Sequence, residues 1–250
     1  MYGPIFYTAG RTDALLRAEG ILRKQGCQFA SAPDLSVTHL LLDVPAFCAD
    51  GSLRCGGNLS DILPLLSPQV TICGGNLREH IPCHYKTTDL LADPFYTAEN
   101  ARITAYCAVK LALDRLPCIL YHCPVLIIGW GRIGKCLGAL LKNMGSRVTV
   151  AARKASDRAM LEALGYDTLD TEGIGYSLTR FRVIFNTAPD LILPANILSY
   201  AADDCLKIDL ASKQGMDGPD VIWARGLPGK DAPESSAALI AQTLLRLRSK

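Results

Sequence analysis

Four apolar residues in a row, Val125-Leu126-Ile127-Ile128, run directly into Gly129-Trp130-Gly131-Arg132-Ile133-Gly134, and apolar positions at helical spacing follow at Cys136, Leu137, Ala139, Leu140 and Leu141 as far as Gly145. A short unbroken apolar run is the pattern of a strand buried on both faces, and the spacing after it is that of an amphipathic helix. The stretch therefore predicts strand, tight turn and helix. The same alternation recurs downstream. Arg147-Val148-Thr149-Val150-Ala151 reads as a strand, 155–164 as a helix, and Tyr166-Asp167-Thr168 as a weak third strand. Val183-Ile184-Phe185-Asn186, Leu206-Lys207-Ile208-Asp209-Leu210 and Val221-Ile222-Trp223 read as three better ones. Strands that alternate with helices predict an α/β fold with a Rossmann-type doubly wound parallel sheet.

The first half carries a smaller α/β domain by the same reading. Ile5-Phe6-Tyr7, His39-Leu40-Leu41-Leu42 and Val70-Thr71-Ile72-Cys73 are strand-like, and Thr12 to Lys24 has Leu15, Leu16, Ile21 and Leu22 at helical spacing. Ser60-Asp61 caps a short helix through Leu66, and Gly51 to Gly57 and Gly74-Gly75 read as loops. A long helix is expected from Thr97, as its cap, to Leu116, with Ile119-Leu120-Tyr121-His122 as a short connecting strand. The final helix, 232–248, either wraps back onto the first domain or another subunit, or packs on its own domain. The expected organisation is an N-terminal, substrate-side α/β domain at 1–96, an interdomain helix with the nucleotide-binding domain at 97–231, and a C-terminal helix packing back on either domain at 232–250.

Composition narrows the class. At 250 residues there is room for two domains, and 49% hydrophobic residues with a net charge of +2 exclude disorder and a nucleic-acid footprint. No apolar run is long enough to span a bilayer. Arg11, Asp13, Arg17 and Glu19 interrupt the N-terminal pattern, so no signal-peptide core is expected. A cytoplasmic protein with small-molecule or protein partners fits these features. The ten cysteines include no CxxC pair, which favours reduced thiols. Two groups, His80-Ile81-Pro82-Cys83-His84 and Cys118 with His122 and Cys123, match no established zinc spacing, so no metal is expected.

The glycine turn carries the chemistry. In such a turn Gly129 permits the bend, Gly131 lets the backbone approach a pyrophosphate, and Gly134 lets the helix lie close to the strand. The amides of Arg132, Ile133 and Gly134, at the positive end of that helix, would then hold the phosphates. Ala152-Arg153-Lys154 follows the next strand, where an NAD-preferring site would carry an Asp or Glu for the ribose hydroxyls. Cations there fit a 2′-phosphate, with Arg153 bidentate, Lys154 adding charge and Ser156 a hydroxyl, so the expected cofactor is NADP(H). The plainer reading is two basic residues solvating a loop.

Tyr96-Thr97-Ala98-Glu99, the Gly129–Gly134 turn, Val148 to Arg153, Asn186-Thr187-Ala188-Pro189, Ile208-Asp209-Leu210-Ala211-Ser212-Lys213 and Gly226-Leu227-Pro228-Gly229-Lys230 together resemble one family, that of the A subunit of dipicolinate synthase. The resemblance runs from about Asp93 to the C-terminus, while the earlier residues match poorly. It implies NADP-dependent dehydrogenation of a dihydropyridine dicarboxylate to pyridine-2,6-dicarboxylate in spore-forming bacteria, the partner being a flavoprotein-like B subunit. Ser212-Lys213-Gln214-Gly215 stands where the family has Ser-Lys-Pro-Gly, and Glu234-Ser235-Ser236 where it has Lys-Thr-Ala. On this footing Ser212 and Lys213 are the expected substrate-side and catalytic residues, Lys213 holding a carboxylate. Asn186 and Thr187 would line the nicotinamide ribose beside Leu210, and Gly226 to Gly229, with Pro228, would form a rigid loop over the nicotinamide. Thr97 and Arg102 are substrate candidates, Arg102 for the second carboxylate, and Glu99 is either a helix-dipole partner or a proton acceptor. The rival reading is an NADP-binding, non-catalytic or regulatory subunit whose partner does the chemistry. None of the four histidines follows Gly129, which disfavours a 2-hydroxy-acid dehydrogenase. Association with further copies of the chain is left open.

Overall fold

The computed structural model describes residues 3–248. They fall into two compact units, the first holding the described residues up to Asn100 together with those from Pro228 onward, the second Ala101–Leu227.

The first unit comprises β1 (Ile5–Thr8), α1 (Asp13–Lys24), β2 (Gln28–Phe29), β3 (His39–Leu41), α2 (Leu59–Ile62), β4 (Thr71–Gly74), β5 (Lys86–Asp89) and the start of α3 (Pro94–Leu113). Its five strands are parallel in the order β2-β1-β3-β4-β5, a doubly wound arrangement. Helix α1 forms because Leu15, Ala18 and Leu22 make one buried stripe, with Asp13 in its first turn and Arg23 and Lys24 in its last to match the helix dipole. Leu40, Leu42, Leu53, Ile72 and Leu77 anchor the core over β3 and β4.

The second unit contains β6 (Pro124–Ile128), α4 (Arg132–Asn143), β7 (Arg147–Ala151), α5 (Ala155–Ala163), β8 (Asp167–Leu169), β9 (Val183–Asn186), α6 (Ala195–Leu198), β10 (Leu206–Asp209) and β11 (Val221–Trp223). Its strands are all parallel, in the order β11-β10-β9-β6-β7-β8. The chain leaves β6 toward β7 and β8 and returns to β9 on its other flank, so the topological switch point lies between the ends of β6 and β9. Covered on both faces, Val125 to Ile128 are completely buried, which explains the unbroken apolar run. The chain then forms α7 (Leu227–Asp231) and α8 (Pro233–Arg248), and α8 packs against α1 in the first unit.

Several local expectations are corrected. Ile119 to His122 form bends and a turn rather than a strand, with Ile119 71% and Tyr121 60% exposed. Leu227 to Asp231, expected as a rigid loop, are helical. The short helix near Ser60 is capped by Asn58, paired with Asp61 in a capping box, and it ends at Ile62 before a 3-10 turn. Thr97 is not a cap: α3 starts earlier, at Pro94, where Asp93 accepts from the Tyr96 N–H at 2.8 Å. Strands β2 and β5 come in addition to those expected.

The close approach of α4 to β6 leaves no room for a side chain. A Cβ built on Gly134 would lie 2.2 Å from the Gly129 carbonyl oxygen, whereas one built on Gly131 would meet no protein atom within 4 Å. Gly134→Ala is accordingly expected to destabilise the protein by about 1–3 kcal/mol, and Gly131→Ala by less than about 1 kcal/mol. Chemical denaturation of the two variants beside the parent tests the contrast; equal losses would contradict it.

Candidate functional site

The carboxyl edge of the six-stranded sheet gathers the turn after β6, the loop after β7, the segment after β9 and the loop after β10. Gly129 has φ +98°, a backbone region that favours glycine, and a Cβ there would also strike the Thr187 hydroxyl at 2.7 Å. Thr187 clamps the turn, its Oγ1 donating to the Ile128 carbonyl at 2.9 Å. Gly131 is the N-cap of α4, so the amides of Arg132, Ile133 and Gly134 have no acceptor within the helix. Trp130 turns away to pack edge-on against Tyr166, with ring centroids 5.6 Å apart. Lys142 fixes Tyr166 in turn, lying over its ring and donating to the Leu164 carbonyl at 2.6 Å.

After β7, Arg153 and Lys154 are exposed and Lys154 is the N-cap of α5, with Ser156 exposed in its first turn. No acidic residue stands between Ala151 and Ser156. The loop is held from below by Arg158, whose Nη1 donates to the carbonyls of Ala152 (2.7 Å) and Arg153 (2.9 Å) and also pairs with Asp170 at 2.8 Å. Arg158 is not among the residues expected from sequence. Its signal is the cation one helical turn after the N-cap, placed to reach back to the carbonyls of the preceding loop.

Asn186, expected to line a ribose, is completely buried. Its Nδ2 donates to the Ala188 carbonyl (2.9 Å) and Asp209 Oδ1 (3.0 Å), and its Oδ1 accepts the Ala188 N–H (3.1 Å). With these bonds made, it shapes the loop from inside, which corrects the expectation. Asp209 is also completely buried, a determinant that sequence reasoning misses. Besides Asn186, it accepts the N–H groups of Ala211 (2.9 Å), Gly215 (2.7 Å) and Met216 (3.0 Å). The loop between is wrapped around that carboxylate and lifts Ser212 and Lys213 into solvent, while Leu210 stays buried. Gly215 has no room for a side chain, since a Cβ would lie 2.4 Å from Asn186 Nδ2 and 2.5 Å from the Asp190 carbonyl. Gln214, at the position where the resemblance expects proline, donates to the Met216 carbonyl at 2.9 Å and so closes the loop by another means. Trp223 Nε1 donates to the Ala211 carbonyl at 3.0 Å from the neighbouring strand.

The other expected residues lie elsewhere in the chain. Thr97 and Glu99 are in the first turns of α3 within the first unit, and Arg102 follows on the same helix in the second. The Thr97 hydroxyl donates to the Asp93 carbonyl at 3.0 Å, so its proton is engaged locally. Asp93 is held below the usual carboxylate range: burial raises it, but the Tyr96 N–H and the Arg246 guanidinium 2.6 Å away outweigh that effect. Gly226, with φ +68°, immediately precedes α7, and Pro228 lies within that helix. Among the described residues all ten cysteines are free and no group of three or more His, Cys, Asp or Glu side chains is placed to hold a metal. No helix there is long and apolar enough to cross a membrane.

The residues present fit a dinucleotide: open space over Gly131, amides without acceptors at the start of α4, and cations at the end of β7. No family model matches the chain. The dipicolinate synthase A subunit of Bacillus subtilis (strain 168) is 26% identical over 156 residues, 59% of this chain and 52% of that protein, so the match spans about half of the relative's length. The dipicolinate synthase A subunit from Bacillus halodurans has the same fold, with a TM-score of 0.87 at 19% identity over 99% of this chain and 98% of that one. Transhydrogenase from Sinorhizobium meliloti gives a TM-score of 0.69 at 12% identity over 97% of this chain and 92% of that chain. The resemblance read from the sequence is thus shown by alignment, and the fold likeness extends through the first unit, where the motifs are missing.

The Asp209 loop yields a direct test. In Asp209→Asn one carboxylate oxygen becomes an NH2 facing backbone N–H donors, and at least one buried donor loses its acceptor. A loss of about 1–3 kcal/mol is expected, together with faster amide exchange at Gly215 and Met216. Exchange unchanged at those two amides would refute the role given to the carboxylate.

Proposed function

We propose that this chain, similar in sequence to the dipicolinate synthase A subunit and sharing its fold, is an NADP-dependent dehydrogenase that forms pyridine-2,6-dicarboxylate from a dihydrodipicolinate-type precursor. The observation that carries the reading is the pairing of the Gly129–Gly134 turn with a cationic β7 end on one sheet edge. A bound nicotinamide supplies hydride acceptance, and aromatisation of the substrate ring supplies the driving force. The protein's share is binding and orientation. The amides of Arg132, Ile133 and Gly134 hold the pyrophosphate, and Arg153 with Lys154 and Ser156 holds the 2′-phosphate. Thr187, Asn186 and Leu210 set the backbone along which the rest of the dinucleotide lies, with Gly226 and Pro228 bounding the final turn of the chain.

On the substrate side, Lys213 holds a carboxylate and Ser212 donates to it. Both stand on a loop whose shape is fixed from beneath, so they are oriented before the ligand arrives. Arg102 serves the second carboxylate, Thr97 positions the start of α3, and Glu99 takes the proton released as the ring becomes aromatic. The setting is the cytoplasm of a sporulating cell, and the protein partner is a B subunit.

Two measurements test this function. Arg153→Ala should weaken NADP(H) while leaving NAD(H) nearly unchanged, by about 1.5–3 kcal/mol for one charge-assisted contact; calorimetric titration with both cofactors decides, and equal affinities in the parent would sink the assignment. Lys213→Ala should lower kcat/KM for the dihydropyridine dicarboxylate by about 2–5 kcal/mol in transition-state terms, with NADP(H) affinity retained. The check is steady-state NADPH formation from freshly prepared substrate, and an unchanged rate would place the carboxylate elsewhere.

A further inference from the structure

Of the first unit's arginines, Arg248 donates to Cys27 Sγ and three others are held in ion pairs. Arg17 pairs with Asp13 and Glu234, Arg23 with Glu19, and Arg246 with Asp93. Arg11, Arg54 and Arg78 are exposed, and among the described residues none of them has a carboxylate within ion-pair distance. Their placement follows the topology. Arg11 follows β1, Arg54 lies between β3 and α2, and Arg78 follows β4, so each of three strands adjacent in the sheet is followed by a segment carrying one arginine without an ion-pair partner among the described residues. Between β1 and β3 lies the switch point of this sheet, where open α/β sheets bind ligands.

The loops that carry these arginines are firmly built. Asp43, 2% exposed, accepts the Arg11 N–H (3.2 Å), the Thr12 N–H (3.0 Å) and the Thr12 hydroxyl (2.7 Å). Gly10 has no space for a side chain, a Cβ there lying 2.7 Å from Asp43 Oδ1 and 2.4 Å from Leu15. The Arg54 N–H donates to the Ala46 carbonyl at 2.9 Å, and Phe47 bridges to Leu53, so that loop folds back over the end of β3. The Arg11 N–H is thus tied to Asp43 and the Arg54 N–H to Ala46, three residues further along the same segment after β3. Most carboxylates of these loops are engaged: Asp43 as above, Asp50 by Ser52, Asp61 by Asn58, and Asp89 by the N–H groups of Asn76 and Leu77. Glu79, beside Arg78, is exposed to solvent; the engaged carboxylates keep their charge but have their lone pairs met by neutral donors, so the three guanidinium groups keep their own donors available.

We propose that the carboxyl edge of the first unit's sheet is a carboxylate subsite, additional to the one assigned to Lys213 and Arg102, in which Arg11 and Arg54 bind a planar aromatic dicarboxylate, with Arg78 at its rim. Guanidinium groups meet carboxylates through two parallel N–H donations, and an arginine without an internal partner keeps both available. This assignment rests on the proposed dicarboxylate chemistry, which sets the class of anion.

The test is calorimetric titration of the whole protein with pyridine-2,6-dicarboxylate, with inorganic phosphate as the comparison anion and thermal melts confirming that each variant is folded. Arg11→Gln and Arg54→Gln should each weaken dicarboxylate binding about tenfold or more, and the double variant further, while Arg17→Gln binds as the parent does. Phosphate at equal concentration should not compete. Parent-like binding by the double variant, an equal loss in Arg17→Gln, equal binding of phosphate, or no dicarboxylate binding by the parent would each overturn the subsite. The two proposals fail separately. Arginine-dependent binding without NADPH formation leaves the subsite and removes the dehydrogenase; NADPH formation with binding indifferent to Arg11 and Arg54 does the reverse.

Discussion

A buried carboxylate satisfied by N–H donors rather than by a cation is the interaction on which the ligand-bearing edges of this protein depend. Asp209 shows the logic most fully, with four donors converging on two oxygens of a completely buried side chain. Removing an ionised carboxylate from water is tolerable only when nearly every lone pair is met, so the donors cannot drift without a large penalty. Loop shape is thereby fixed to the end of a strand, which the parallel ladder fixes in turn. Asp43, buried, and Asp89, half-buried, repeat the device in the first unit, each after the carboxyl end of a strand or at it and each gathering the backbone of a neighbouring turn. The exposed residues that such loops carry are free for chemistry because the residues beneath them do the holding.

That division of labour explains what the sequence made legible. The Gly129–Gly134 turn could be read because glycine spacing reports backbone geometry directly, and Gly129 and Gly134 each have a steric reason in the structure. Central strands could be read because burial on both faces leaves an unbroken apolar run. The edge strands of the first unit could not. Lys86-Thr87-Thr88-Asp89 is polar because only one flank is paired, and Gln28-Phe29 is too short to show a period. The run Ile119 to His122 misled for the opposite reason, since only Leu120 is buried while Ile119 and Tyr121 are exposed around a turn, with Tyr121 packed over Gly145.

At the candidate site the misread residues were the polar ones at strand ends. Asn186 follows three apolar residues just as a ligand-facing residue would, and local pattern does not tell an inward amide from an outward one; the partner that turns it inward, Asp209, lies twenty-three positions away. Arg158 was hidden in an ordinary helical stretch, and only the fold shows that it reaches back to two loop carbonyls. The destination of α8 was likewise left between two alternatives by its amphipathic pattern. Its packing against α1 comes from a contact more than two hundred residues distant in sequence, for which no local signal exists.

The chain has two tryptophans, and both belong to the edge of the second unit's sheet. Trp130 is the residue between the first two glycines of the turn, stacked edge-on against Tyr166; Trp223 is hydrogen-bonded to the loop that carries Ser212 and Lys213. Indole emission responds to local polarity and to nearby absorbing groups, so nearly all of the ultraviolet fluorescence of this protein originates at the sheet edge that carries the glycine turn and the Ser212–Lys213 loop. The protein therefore carries its own optical probe at each of two loops, and replacing either indole by phenylalanine would leave a signal belonging to the other loop alone.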